Sequence, residues 1–228
     1  MNNLLNPDNP VMQFITKLVN AVYLNILWLL CCLPIFTIGA STTALFYVTL
    51  KMVKNEEGNI TKAFFHSFKE NLKQGTIIWL ILLGLGIIFG IDGYVLYHMR
   101  FENAFWTICT ALFIVAVIAY AIVLMYIFPL LARFNNTTLS MFKNSIMIGM
   151  RFLLCTVLMA VIYFAMAFII INIFTPAVIF GEGLCAFLCS YLLSNILLMC
   201  EEKSESAEVP DTQKADADEP DAPKGNTL

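Results

Sequence analysis

Residues 76–97 read TIIWLILLGLGIIFGIDGYVLY, and Asp92 is the single formal charge among them. A helix rises 1.5 Å per residue, so this run covers about 33 Å, enough to cross the ~30 Å hydrocarbon core of a bilayer. Comparable apolar runs stand at 18–36, 105–131, 152–174 and 180–200. Of the 228 residues, 60% are hydrophobic and 13% charged, and mean hydropathy is +0.80. A water-soluble domain is nearer half apolar and a quarter charged. The composition excludes a disordered chain, a nucleic-acid binder and an ordinary cytosolic enzyme. It predicts an all-α fold, a polytopic transmembrane helical bundle of about five spans over residues 1–200.

Charge divides the chain. Residues 1–200 hold ten Lys/Arg against seven Asp/Glu, and residues 201–228 hold three Lys against nine Asp/Glu. The weakly basic body suits loops that face anionic head groups. The acidic segment has no aromatic residue and three prolines, Pro210, Pro220 and Pro223. It buries too little apolar surface to offset chain entropy, so 201–228 reads as a disordered tail. The seven cysteines lie in or beside apolar runs without a Cys-x-x-Cys pair, and read as small apolar residues; neither a metal nor a cofactor is expected.

The first apolar run is broken at Pro34 and Gly39, and resumes from Ser41 to Val53. This second limb is too short to span alone. It extends the first span, or returns as the second arm of a hairpin. No basic residue precedes Lys17, and apolar sequence runs past any cleavage site, so the start does not read as a secretory signal.

Between the first and second spans, Ile60, Phe64, Phe68 and Leu72 recur every four residues, opposite Lys62, His66, Lys69 and Lys73. That spacing predicts an amphipathic helix over 59–73, capped by Asn59. It lies in the membrane interface or packs beneath the bundle. Phe64, Phe68, Lys62 and Lys69 form its candidate docking face.

Lys and Arg in short links set sidedness. The 51–73 link holds five lysines, and 132–151 holds Arg133, Lys143 and Arg151 without an acid. The 98–103 link has Arg100 alone, and 175–183 has neither Lys nor Arg. The first and third links and the C-terminus are therefore expected in the cytoplasm. Five spans leave the N-terminus outside; a hairpin in the first run brings it inside. The two basic links share a Phe-containing elbow (Ala63–Lys69 and Ser140–Ile146), a faint internal repetition.

Asp92 stands out because an acid in a membrane helix commonly faces the bundle interior or water. Near the outer end of its span it could instead reach head groups, or pair with His98 or Arg100. Gly86 and Gly90 fit the small-xxx-small spacing that lets helices approach closely, within the chain or across a homo-oligomer. Asn25, with Asn20, Thr37, Asn172 and Asn195, is polar at membrane depth and needs a hydrogen-bond partner. Catalytic motifs are absent: no phosphate-binding glycine loop, no His-Glu-x-x-His and no Gly-x-Ser-x-Gly. An enzyme is not expected.

Asn25-Ile26-Leu27-Trp28, Leu33-Pro34-Ile35-Phe36-Thr37-Ile38-Gly39, Ser41–Tyr47, Phe64–Asn71 and Pro129–Phe134 follow one another in a familiar order. In that order they resemble the YesL-like family of bacterial integral membrane proteins, a family of unknown function. The resemblance covers roughly residues 15–200 and excludes the acidic tail. It implies a multi-pass plasma-membrane protein, mostly of Gram-positive bacteria, often encoded beside carbohydrate-uptake transporters and polysaccharide-degrading enzymes. It implies no catalytic residue.

Two functions compete. The first is a non-enzymatic accessory to carbohydrate uptake or utilisation that contacts the membrane subunits of a sugar transporter through the 59–73 helix. The second is a small transporter or channel, motivated by the Pro34/Gly39 break, Asp92 and the buried amides.

Overall fold

A computed structural model of the chain describes residues 10–56, 58–99, 104–134, 136–172, 176 and 178–208. These are helical almost throughout, without a strand. The helices are α1 (Pro10–Cys31), α2 (Ile38–Val53), α3 (Ile60–Met99), α4 (Ala104–Arg133), α5 (Thr138–Arg151), α6 (Leu153–Asn172) and α7 (Val178–Glu208). Two compact units result, Met1–Ser194 and Asn195–Leu228, with α7 running from the first into the second.

The first apolar run is a helical hairpin. The Cys32 N–H bonds back to the Trp28 and Leu29 carbonyls, and Pro34 follows in extended backbone. A residue before proline is pushed out of helical space, which ends α1. A 3-10 turn at Ile35–Thr37 redirects the chain, and the Thr37 hydroxyl donates to the Cys31 and Pro34 carbonyls, each at 2.6 Å. The second limb is thus α2 rather than an extension of α1, and among the described residues six helices are long and apolar enough to cross a membrane.

Two threonines on α2 are hydrogen-bonded, whereas the buried Ser41 hydroxyl has no partner among the described residues. Thr43 donates to the Gly39 carbonyl at 2.9 Å, and Thr49 pairs with Ser190 of α7 at 2.8 Å. The end of α2 forms a Schellman cap. The Glu56 N–H reaches the Lys51 carbonyl, the Asn55 N–H reaches that of Met52, and Asn55 has φ 57°. Asn tolerates this left-handed conformation. Lys17 of α1, only 7% exposed, donates its ammonium to Asn55 Oδ1 at 2.6 Å, joining the open end of the hairpin.

α3 is one unbroken helix of 40 residues, about 60 Å long. The amphipathic stretch therefore runs straight into the second span instead of forming a separate interfacial helix. α2 lies antiparallel along its first half. A Cβ on Gly39 would collide with the Gly75 carbonyl and meet Trp79 Cβ at 2.7 Å; one on Gly75 would meet the Ala40 nitrogen at 2.9 Å. The α1–α2 turn thus reaches Gly75 and Trp79 and stops there. Beyond it, α3 pairs with α4: Trp79 meets Phe128, Tyr120 donates to the Leu82 carbonyl at 2.9 Å, and Phe89 meets Phe113. The outer α3–α4 hairpin projects about 30 Å past the α1–α2 turn. The two stages are staggered along α3.

α5 returns beside α4, with Gly149 against Ile122 and Tyr126, and a break at Phe152 separates it from α6. α7 continues into the acidic segment as far as Glu208. Glu, Lys and Ala propagate a helix already nucleated by an apolar span. The expected disorder of 209–228 lies outside the described residues.

The crossing at Gly39 predicts a sharp asymmetry among glycines. Gly39→Leu is expected to cost about 3 kcal/mol or more, since overpacking against backbone has little room to relax. An added Cβ at Gly90 would meet nothing within 4 Å, so Gly90→Ala is expected to hold or gain about 0.5–1 kcal/mol. Thermal melts followed by circular dichroism in detergent check both. Equal melting of Gly39→Leu and wild type would remove the crossing from its central place.

Candidate functional site

α7 enters the bundle through Gly181-Glu182-Gly183. A Cβ on Gly183 would strike the Ala21 carbonyl and Asn25 Cβ of α1, and one on Gly181 would press on Met166 and Ile170 of α6 at 3.3 Å. The two glycines let α7 sit tightly against both helices. Asn25, fully buried, accepts the Gly183 N–H on Oδ1 at 2.7 Å. This bond ties α1 to α7 across 158 residues of sequence.

Glu182 lies between these contacts and lines a partly open cavity of about 360 Å³. Its wall comes from six helices. Trp28, Thr42, Phe46, Trp79, Phe128 and Tyr163 contribute most of the chemistry, and among the described residues no Lys, Arg or His lines it. Trp28 Nε1 donates to the Thr42 hydroxyl at 3.1 Å, which fixes one indole. The Trp79 indole N–H is buried and has no partner among the described residues. Trp79 and Phe128 meet at 6.5 Å and 47°. Pro129 sits inside α4 and lacks the N–H that would bond the Met125 carbonyl; Met125 also lines the cavity.

Glu182 makes no ion pair and no hydrogen bond to another described residue. Tyr163, Cys32 and Cys185 are near enough to feel its charge. A carboxylate away from water without a counter-charge is costly, so such a residue marks a site.

The residues singled out by sequence have other places. Asp92 does not face the bundle interior; it is exposed and borders a groove between α3 and α4 with Phe89, Trp106 and Phe113. His98 turns to the Tyr94 carbonyl at 3.0 Å, and Arg100 lies outside the described residues. Gly86 makes room for the Tyr120 hydroxyl, whereas Gly90 meets nothing. Pro34 is exposed at the α1–α2 turn, and Gly39 forms the crossing with α3.

On the 59–73 stretch, Phe64 is fully buried and stacks on the half-buried Phe68 at 6.4 Å, while Phe65 and Leu72 are exposed. Lys62 and Lys69 remain exposed. Among the described residues, no cluster of His, Cys, Asp or Glu is suited to a metal ion.

Sequence reasoning misses Glu182, although its signal resembles that of Asp92: a lone acid beside glycines in an apolar stretch. Its position inside the Lys/Arg-free 175–183 link conceals it. The convergence of Trp28, Trp79 and Tyr163 on it is tertiary and has no local signature.

Fold and site together define a multi-pass, all-helical membrane protein with an unpaired acid in an aromatic cavity. Residues 21–93 match the family described as "Protein of unknown function, DUF624". The chain is 24% identical over 198 residues to the "Uncharacterized protein YteU" of Bacillus subtilis (strain 168), covering 84% of this chain and 87% of that protein. It is 25% identical over 156 residues to the "Uncharacterized protein YesL" of the same organism, covering 67% and 72%. These matches bear out the resemblance to the YesL-like family carried by the N-terminal motifs. No solved structure matches the chain.

Two substitutions separate support from charge at this site. Asn25→Ala leaves the buried Gly183 N–H without its acceptor and is expected to cost about 1–3 kcal/mol. Glu182→Gln keeps the shape and removes an uncompensated charge, so it is expected to melt at or above the wild-type temperature. A Glu182→Gln protein that melted well below wild type would show that a counter-charge holds the carboxylate.

Proposed function

We propose that this protein is a multi-pass component of the plasma membrane, with its C-terminus in the cytoplasm, that assists carbohydrate uptake without catalysing a reaction itself. It does so by packing against a membrane-embedded subunit of a sugar transporter. The carbohydrate assignment follows from the family resemblance, and the sidedness from the Lys/Arg-rich links.

The structural observation that supports a membrane partner is the outer α3–α4 hairpin. Past Trp79 it consists of two helices whose outward residues, among them Leu80, Ile87, Ile91, Leu112, Val115 and Ile118, are all exposed. Gly84 and Gly90 have nothing within 4 Å of an added Cβ. Small residues on an uncovered helix face allow a foreign helix to approach backbone to backbone. With Phe64 buried, this hairpin replaces the 59–73 helix as the contact surface. A second reading, a small transporter, is favoured by the Glu182 cavity, since unpaired intramembrane acids mark transport pathways.

A photoreactive amino acid at position 90, in cells grown on a polysaccharide, tests the first reading. A crosslink to the membrane subunit of a sugar transporter is expected. Crosslinks confined to lipid or to a second copy of the chain would overturn it.

A further inference from the structure

The cavity beside Glu182 has a chemical character of its own, independent of any protein partner. One carboxylate supplies its charge. Aromatic side chains from α1, α2, α3, α4 and α6 line it. Polar groups in its wall are few: the Thr42 hydroxyl, which accepts the Trp28 N–H, the Tyr163 hydroxyl, the Trp79 N–H and the Met125 carbonyl. A sugar presents several hydroxyls and would leave most of them unpaired here, at a cost for each. An anion would meet Glu182 with like charge. A fatty chain would leave the carboxylate uncompensated. An organic cation with an apolar body meets every requirement. Its charge pairs with Glu182, its body lies on aromatic faces that attract cations through their quadrupoles, and no further polar groups are needed.

We propose that this cavity binds a small alkyl- or arylammonium ion, with Glu182 as its counter-charge and Trp28, Phe46, Trp79 and Phe128 as its aromatic wall. At about 360 Å³ the space suits a cation carrying one aromatic ring rather than several. The partly open side of the cavity gives such a ligand a way in.

The probe is radiolabelled benzyltrimethylammonium, measured by equilibrium binding to the full chain in detergent micelles. N,N-dimethylbenzamide, neutral and of similar size, and phenylacetate, an anion, serve as competitors. The expected result is saturable one-site binding that neither competitor displaces. Glu182→Gln is expected to weaken binding at least tenfold, Phe128→Leu about threefold, and Asp92→Asn not at all. Absence of saturable binding, displacement by N,N-dimethylbenzamide at equal concentration, or undiminished binding by Glu182→Gln would each overturn the assignment. If Glu182→Gln is not recovered folded, the choice between cation and neutral amide by the unmodified protein decides alone. Loss of the transporter crosslink would leave this result untouched, so the two readings fail separately.

Discussion

The crossing of α2 and α3 at Gly39 and Gly75 sets the geometry of the rest. Two backbones meet there without side chains between them. Any larger residue would separate the helices and shift their register. The crossing fixes where the α1–α2 turn ends along α3, and so where the outer hairpin begins. It also places Trp79, one turn beyond Gly75, at the floor of the cavity beside Ile38 and Thr42. In lipid, apolar side chains gain nothing from association as such, so close contact between small residues becomes a principal source of helix adhesion. The same device recurs at Gly183, against the Ala21 carbonyl of α1.

Around this frame, polar groups are handled in two ways. Most are satisfied at short range. Threonine hydroxyls return to carbonyls one turn back, Lys17 reaches Asn55, and Asn25 takes the Gly183 N–H. Such bonds make the neighbouring Thr42 and Thr43 compatible with deep burial. Glu182 is treated differently. The chain brings six helices to it and provides no cation among the described residues. Conventional packing would have placed a leucine there.

Much of this is readable from the sequence, and the division has physical reasons. Long apolar runs are set by composition alone, so α3, α4 and α6 are plain. Pro34 announces a break but not its outcome, since both an extension and a hairpin satisfy the local backbone. The choice is made by contacts between Gly39 and Gly75, 36 residues apart. The period of Phe64 and Phe68 gives the amphipathic face correctly, but not how far it is covered: Phe64 is buried, whereas Leu72 on the same face is exposed. Asp92 and Glu182 look alike in one dimension. Only the packing of Gly181 and Gly183 against α6 and α1 distinguishes a residue at the rim of a groove from one inside a cavity.

The unbroken length of α3 carries a mechanical consequence. No proline interrupts it from Ile60 to Met99, and Gly75, the one glycine between Lys62 and Trp79, is pinned by Ala40. Sharp bends in helices arise at prolines, at inserted water or at bulges, and this segment offers no such hinge. It behaves as a stiff lever about 25 Å long, with an aromatic wall of the cavity at one end and exposed lysines at the other.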